Sequence, residues 1–211
     1  YISPINEPQG GWDTPRQEGT PWRNSELKRI MVELDKELSR DKRFDNVRLQ
    51  LGETSRVKYL YEKRDKYIER YGEVEAQHMV VQNFFDKASQ FYIGNLRHLK
   101  PAVYAHDYHD LRTNEKIREV HRKAYEECCK YGVEYNMSEW CVLPGAEKKD
   151  IEGITKDWVC PNYADMQAGL LMARLIYSDM VDAMSPSWSY WKGMELRGDH
   201  ALIALHAKDG D

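Results

Sequence analysis

The chain has 211 residues, 41% of them hydrophobic, with 31 basic against 35 acidic side chains and a formal net charge of -4. That composition excludes a disordered polymer and gives no electrostatic footing for nucleic acid or a membrane surface as partner. Tyrosine and tryptophan number 14 and 6 against 4 phenylalanines, a bias toward rings with a polar edge, which serve neutral-ligand clefts, cores and interfaces alike.

No stretch approaches the roughly 20 apolar residues of a membrane span, so no membrane insertion is expected. The cysteines, Cys128, Cys129, Cys141 and Cys160, have no CxxC spacing and no His-rich partner segment, which argues against zinc. Cys141 and Cys160 flank one loop and could pair if the protein is exported; buried thiols are the other reading.

In chain order, Tyr1 to Pro8 reads as a buried strand that delivers Glu7 at its tip and is stopped by proline. Asn24 to Arg40 opens with cap-type residues and places Leu27, Ile30, Met31, Leu34 and Leu38 on one helical face. Val47 to Leu51 predicts a strand running into Gly52-Glu53, with Glu53 read as a surface acid at the strand end in preference to the other reading, a substrate contact. Two or more helical stretches are expected between Ser55 and Leu99, with Val80, Val81, Phe84, Phe85 and Phe91 as core.

Pro101 introduces a buried strand ending at His106, and Asn114 to Tyr131 forms a helix with Ile117, Val120, Ala124 and Cys128 inward and Gly132 as its stop. Val133 to Met137 predicts a strand finishing in Ser138-Glu139-Trp140. A Pro- and Gly-containing loop leads to an apolar helix over Tyr163 to Met184, then to a strand over Pro186 to Trp191. After it the tail holds only a short apolar run, Ala201 to Leu205, and no closing helix.

Strands separated by helices imply parallel pairing through right-handed crossovers, hence an α/β sheet or barrel. The tips fall at Glu7, Glu53, His106, Glu139 and Trp191, fewer than the eight strands that close a (β/α)8 barrel. Of the three glutamate tips, Glu7 and Glu139 are expected on opposite sides of one barrel mouth. Glycoside hydrolysis needs such a pair: one carboxyl protonates the leaving oxygen while the other, ionised, attacks the anomeric carbon or activates water.

The residues around both glutamates carry a resemblance. Ile2-Ser3-Pro4-Ile5-Asn6-Glu7-Pro8, Ala105-His106-Asp107-Tyr108, Met137-Ser138-Glu139-Trp140 and Trp188-Ser189-Tyr190-Trp191 resemble, in order, the fourth, sixth, seventh and eighth strand motifs of the clan A glycoside hydrolases. The likeness is strongest to family 30, in the branch acting on β-1,6-linked glycans, and Gln17 to Trp22 resembles the loop after its Asn-Glu-Pro motif.

The resemblance implies a partial TIM barrel, about strands 4 to 8, in a single incomplete domain over residues 1–211, without strands 1–3 and the flanking β-sandwich. It implies a retaining O-glycoside hydrolase acting on β-linked oligo- or polysaccharide, with Glu7 as acid/base and Glu139 as nucleophile. Asn6, His106, Tyr108, Trp140, Trp188 and Trp191 are the expected substrate-binding residues; packing is the equal reading for Trp140 and for Trp12, and a core histidine is the other reading for His106. On physical grounds Glu7 should have a raised pKa, and Glu139 should stay ionised with help from Tyr108.

No cofactor or metal is expected, and the resemblance implies a secreted or periplasmic protein. Open barrel edges would leave the isolated chain inactive and open to self-association. The alternative is a non-catalytic carbohydrate-binding barrel.

Overall fold

A computed structural model describes residues 1–10, 21–109, 113–142, 166–196 and 201–205. Helix α1 (Asn24–Ser39) is followed by β1 (Leu49–Thr54), short helices α2 (Asp65–Tyr71) and α3 (Val80–Phe85), β2 (Leu99–His106), α4 (Asn114–Tyr131) and β3 (Glu134–Trp140). Helix α5 (Met166–Tyr177) runs into a π-helical turn (Ser178–Asp182), then β4 (Trp188–Tyr190), β5 (Lys192–Leu196) and β6 (Ala201–Leu205). Strands β1 to β4 form one sheet in the order β1-β2-β3-β4, and every pair in it is parallel. This is the α/β arrangement of a partial barrel, in which sequential strands are neighbours joined through helices.

The expected first strand is reduced to one parallel bridge, Ile2 to Leu49. Ile2 N donates to Arg48 O at 2.8 Å and Ile2 O accepts from Gln50 N at 2.9 Å. The next rung would need a donor from Pro4, which has no N–H, so the ladder stops. The segment nevertheless stays beside β1, because Glu7 N donates to Glu53 O at 2.8 Å.

Helix α1 buries Leu27, Met31 and Leu38, with Ile30 and Leu34 half-buried against the same core. Asn24 does not cap it as the sequence suggests. Its buried amide donates to Val74 O and Ala76 O, both at 2.9 Å, and its Oδ1 accepts from Gln77 Nε2 at 2.7 Å, fastening the helix start to the 74–77 loop.

Helix α4 has the predicted bounds. Thr113 Oγ1 accepts from Lys116 N at 3.1 Å, and Gly132 ends the helix in the left-handed conformation (φ 65°) that glycine adopts without Cβ strain. The β1 prediction is shifted: the strand runs on through Gly52-Glu53 to Thr54. Helix α5 is apolar as expected, but residues 163–165 lie outside the described residues and its end widens into the π turn. The tail, read from sequence as lacking structure beyond one apolar run, pairs β5 with β6 as a separate two-stranded parallel sheet.

Behind the sheet, a buried polar cluster ties these elements together. His121 of α4 places Nε2 3.2 Å from Asp107 Oδ2 and 3.0 Å from Asp179 Oδ1. Asp179, in the π turn, also accepts from Tyr135 of β3 at 2.8 Å and from Trp188 Nε1 of β4 at 3.1 Å. Burial opposes charge on His121, but Asp107 and Asp179 outweigh it and hold its pKa well above the usual imidazole value. One imidazolium thus links the end of β2, the π turn, and through Asp179 both β3 and β4.

Removing a buried cation strands its carboxylates, at a cost of about 3–5 kcal/mol. His121→Leu is expected to destabilise by that amount in denaturant titrations, against about 1 kcal/mol for Gly132→Ala, whose added Cβ meets open space but sits at positive φ.

Candidate active site

A β-bulge builds one wall of the site. Between Leu51↔Val103 and Thr54↔Ala105, β1 spends three steps where β2 spends two. Gly52 absorbs the extra residue at φ 120°, and a Cβ there would lie 2.4 Å from Tyr104 O and 2.8 Å from Tyr104 N. Glu53 follows at φ 47°, and Glu7, hydrogen-bonded to it through the backbone, adopts φ 43°. Left-handed non-glycine residues cost about 1–3 kcal/mol each and concentrate where side chains must be aimed.

The aim converges on His106, at the end of β2. Its Nδ1 lies 2.9 Å from Glu7 Oε1 and 3.5 Å from Glu139 Oε1, while Nε2 lies 3.4 Å from Glu53 Oε2. The ring is buried, so it meets the carboxylates rather than open solvent. Burial opposes its charge, yet Glu53, Glu7 and Glu139 together raise its pKa to about 9. At neutral pH the site is one imidazolium shared by three glutamates.

Glu139 projects from β3 and accepts from Tyr108 Oη at 2.8 Å. Burial raises its pKa, and the charges of Glu7 and Glu53 add to the rise; His106 and the Tyr108 hydroxyl oppose it. The expectation of a Tyr108 donor is met by this bond. Next to Glu139, Ser138 Oγ donates to Glu53 Oε2 at 2.6 Å. Although burial raises it, the Glu53 pKa is lowered on balance by hydrogen bonds from His106 and Ser138.

Glu53 is therefore not the surface acid read from sequence; its side chain is 13% exposed and faces the other two glutamates. Its signal was the glycine before it, which marks a bulge when it stands at a strand end.

The remaining expected residues divide. Asn6 is exposed beside Glu7. Trp191 is 37% exposed at the end of β3, where its N donates to Trp140 O at 2.8 Å and Lys192 Nζ sits 4.4 Å from its ring centroid. Trp140 is 1% exposed and cannot be a sugar platform: its ring packs edge-on to Tyr190 at 5.8 Å and against Trp188 at 6.0 Å. The pleat explains this, since Trp140 follows Glu139 and must point to the opposite face. Trp188 is half-buried in the same cluster, tied to Asp179. Cys141 is buried 3.8 Å from Tyr108 Oη; Cys160, like Trp12 and residues 17–20, lies outside the described residues.

Among the described residues, two groups bring His and carboxylate atoms within 4.8 Å of one another: Glu7, His106 and Glu139, and Asp107, His121 and Asp179. Both imidazoles are raised in pKa, and a protonated ring has no lone pair for a metal. These sets suit ion pairing better than coordination.

Parallel strands that gather carboxylates at their carboxyl ends are the layout of a (β/α)8-barrel enzyme site. The chain belongs to O-glycosyl hydrolase family 30, whose sequence profile matches residues 1–198. Among solved structures, a conserved exported protein from Bacteroides fragilis superposes with a TM-score of 0.82 at 25% sequence identity, over 100% of this chain and 40% of that one. The chain thus spans 40% of the length of that relative. No curated protein matches it.

The His106 charge has a sign that stability measurements can read. A pKa raised to about 9 in the folded state means its contribution is fully present below the unfolded value near 6.5 and is lost as pH rises toward 9. The stability gap between wild type and His106→Gln is therefore expected to be largest at pH 6 and to shrink by pH 10, as followed by denaturant unfolding.

Proposed function

We propose that the chain carries the reacting carboxylates of a retaining O-glycoside hydrolase acting on β-linked glycans, with Glu7 as acid/base and Glu139 as nucleophile. The observation that carries this reading is the spacing: carboxylate oxygens of Glu7 and Glu139 lie within 4.8 Å of one another. Retaining enzymes hold their carboxyls about 5–5.5 Å apart, whereas inverting enzymes need about 6.5–9.5 Å to admit a water.

In the first step the Glu7 O–H bond breaks, its proton passes to the glycosidic oxygen, and the bond from that oxygen to the anomeric carbon breaks. Glu139 Oε forms the new bond to that carbon. In the second, water attacks the anomeric carbon while giving a proton to Glu7, and the Glu139 carboxylate leaves. Charge is conserved in each step, with Glu7 restored to its acid form.

The surroundings fit these roles. Tyr108 Oη, 2.8 Å from Glu139 Oε1, holds the carboxylate and supports its anionic form against burial. To Asn6, exposed beside Glu7, we assign the contact to the sugar 2-hydroxyl, which strengthens as oxocarbenium character develops. Trp191 supplies the accessible ring on which the apolar face of a pyranose can stack. Export is the compartment we infer, since the related Bacteroides fragilis structure is of an exported protein.

The test is hydrolysis of β-1,6-linked galactan and glucan by the intact protein, with NMR of the first-formed anomer. Glu139→Ala and Glu7→Gln are each expected to lower turnover by at least ~100-fold, and the first product should keep the β configuration. Undiminished hydrolysis in both variants, or an inverted first product, would overturn the assignment.

A further inference from the structure

We propose that Glu53 is a positioning residue for the acid/base carboxyl, acting through the His106 ring to fix the proton that faces Glu7. The inference rests on the roles of Glu7 and Glu139 proposed above and assigns the third carboxylate of the cleft. The His106 ring lies between Glu53 and Glu7, with Oε2 of Glu53 at ion-pair distance, 3.4 Å, from Nε2 and Oε1 of Glu7 2.9 Å from Nδ1. The ring thus faces a carboxylate at each nitrogen, and only its Nδ1 side meets the acid/base residue.

The chain invests in this placement. Gly52 takes a conformation that a Cβ would block against Tyr104, and Glu53 itself sits at φ 47°. Ser138 Oγ pins Glu53 Oε2 at 2.6 Å, and Glu53 O accepts from Glu7 N at 2.8 Å, so the two residues are joined through backbone as well as through the ring. A surface acid needs none of this. The titratable groups facing the ring are Glu7 from the N-terminal segment, Glu53 from β1, Tyr108 from just beyond β2 and Glu139 from β3.

Glu7 must be an acid in one step and a carboxylate in the next. With Glu53 anionic, Nε2 keeps its proton, and Nδ1–H remains the donor to the Glu7 carboxylate while the sugar is bound to Glu139. When water returns a proton to Glu7, the imidazolium neither gains nor loses one. A neutral residue at position 53 removes a negative charge that favours the His106 cation, so the ring should lose its second proton at lower pH.

The experiment measures kcat/KM against pH for the intact wild type and Glu53→Gln, on β-1,6-linked glycan and on an aryl β-glycoside whose leaving group departs without a proton. The basic limb of the glycan profile is expected to move toward lower pH by about one unit. Turnover of glycan should fall roughly tenfold or more, and turnover of the activated glycoside distinctly less, because only the former depends on the proton of Glu7.

Glu53→Asp keeps the charge but shortens the reach, and is expected to leave the limb nearer to wild type than Glu53→Gln does. Thermal melting of both variants separates these effects from misfolding, and if Glu53→Gln fails to fold, the Glu53→Asp profile alone must still shift toward lower pH. An unmoved limb, or equal losses on both substrates, overturns the role of Glu53. Normal hydrolysis by Glu7→Gln and Glu139→Ala would instead overturn the parent assignment.

Discussion

Three carboxylates cannot share a partly dry cleft without a positive charge among them. His106 supplies it. Glu7, Glu53 and Glu139 come from three separate segments, and each would repel the others if the ring at the end of β2 were neutral. The same ring fixes their spacing, because each oxygen is drawn to a nitrogen of known position. Distances of 2.9, 3.4 and 3.5 Å therefore place the glutamates relative to one another as well as to His106.

A second imidazolium works on the other side of the strand end. Asp107 lies between His106 and Tyr108, and its side chain meets His121 instead of the cleft. Its N donates to Glu139 O at 3.3 Å, so the residue anchored behind the sheet also joins β2 to β3 at the tip that bears Glu139. Rigidity of the front face thus depends on charges buried at the back. Such support is what keeps reacting groups within a fraction of an ångström of the required geometry.

Much of the fold was legible in the sequence, because strong periodicity survives tertiary packing. Helix α4 is the clearest case, with an N-cap threonine, an inward stripe and a terminal glycine all agreeing. His106 and Glu139 were legible for a different reason: both stand at the ends of parallel strands, which come to one edge, with Tyr108 just beyond, while Glu7 was marked by the Asn-Glu-Pro run and not by a strand. What failed to show were features that depend on register. The bulge at Gly52-Glu53 turns an expected surface acid inward, and the pleat hides Trp140 while exposing Trp191. The Asp107–His121–Asp179 cluster was invisible because its members are far apart in sequence, and the motif that holds Asp107 says nothing of its partners.

The bulge also changes what kind of information specifies the cleft. Side chains on a strand alternate between faces, so one surplus residue reverses the facing of everything between it and the next correction. Glu53 faces inward because β1 is one residue longer there than β2, and not only because a glutamate is present. Deleting a single residue at 52 or 53 would remove that surplus and alter the cleft, although every other amino acid remained. For this site, the count of residues between Leu51 and Thr54 is as much a determinant as their identity.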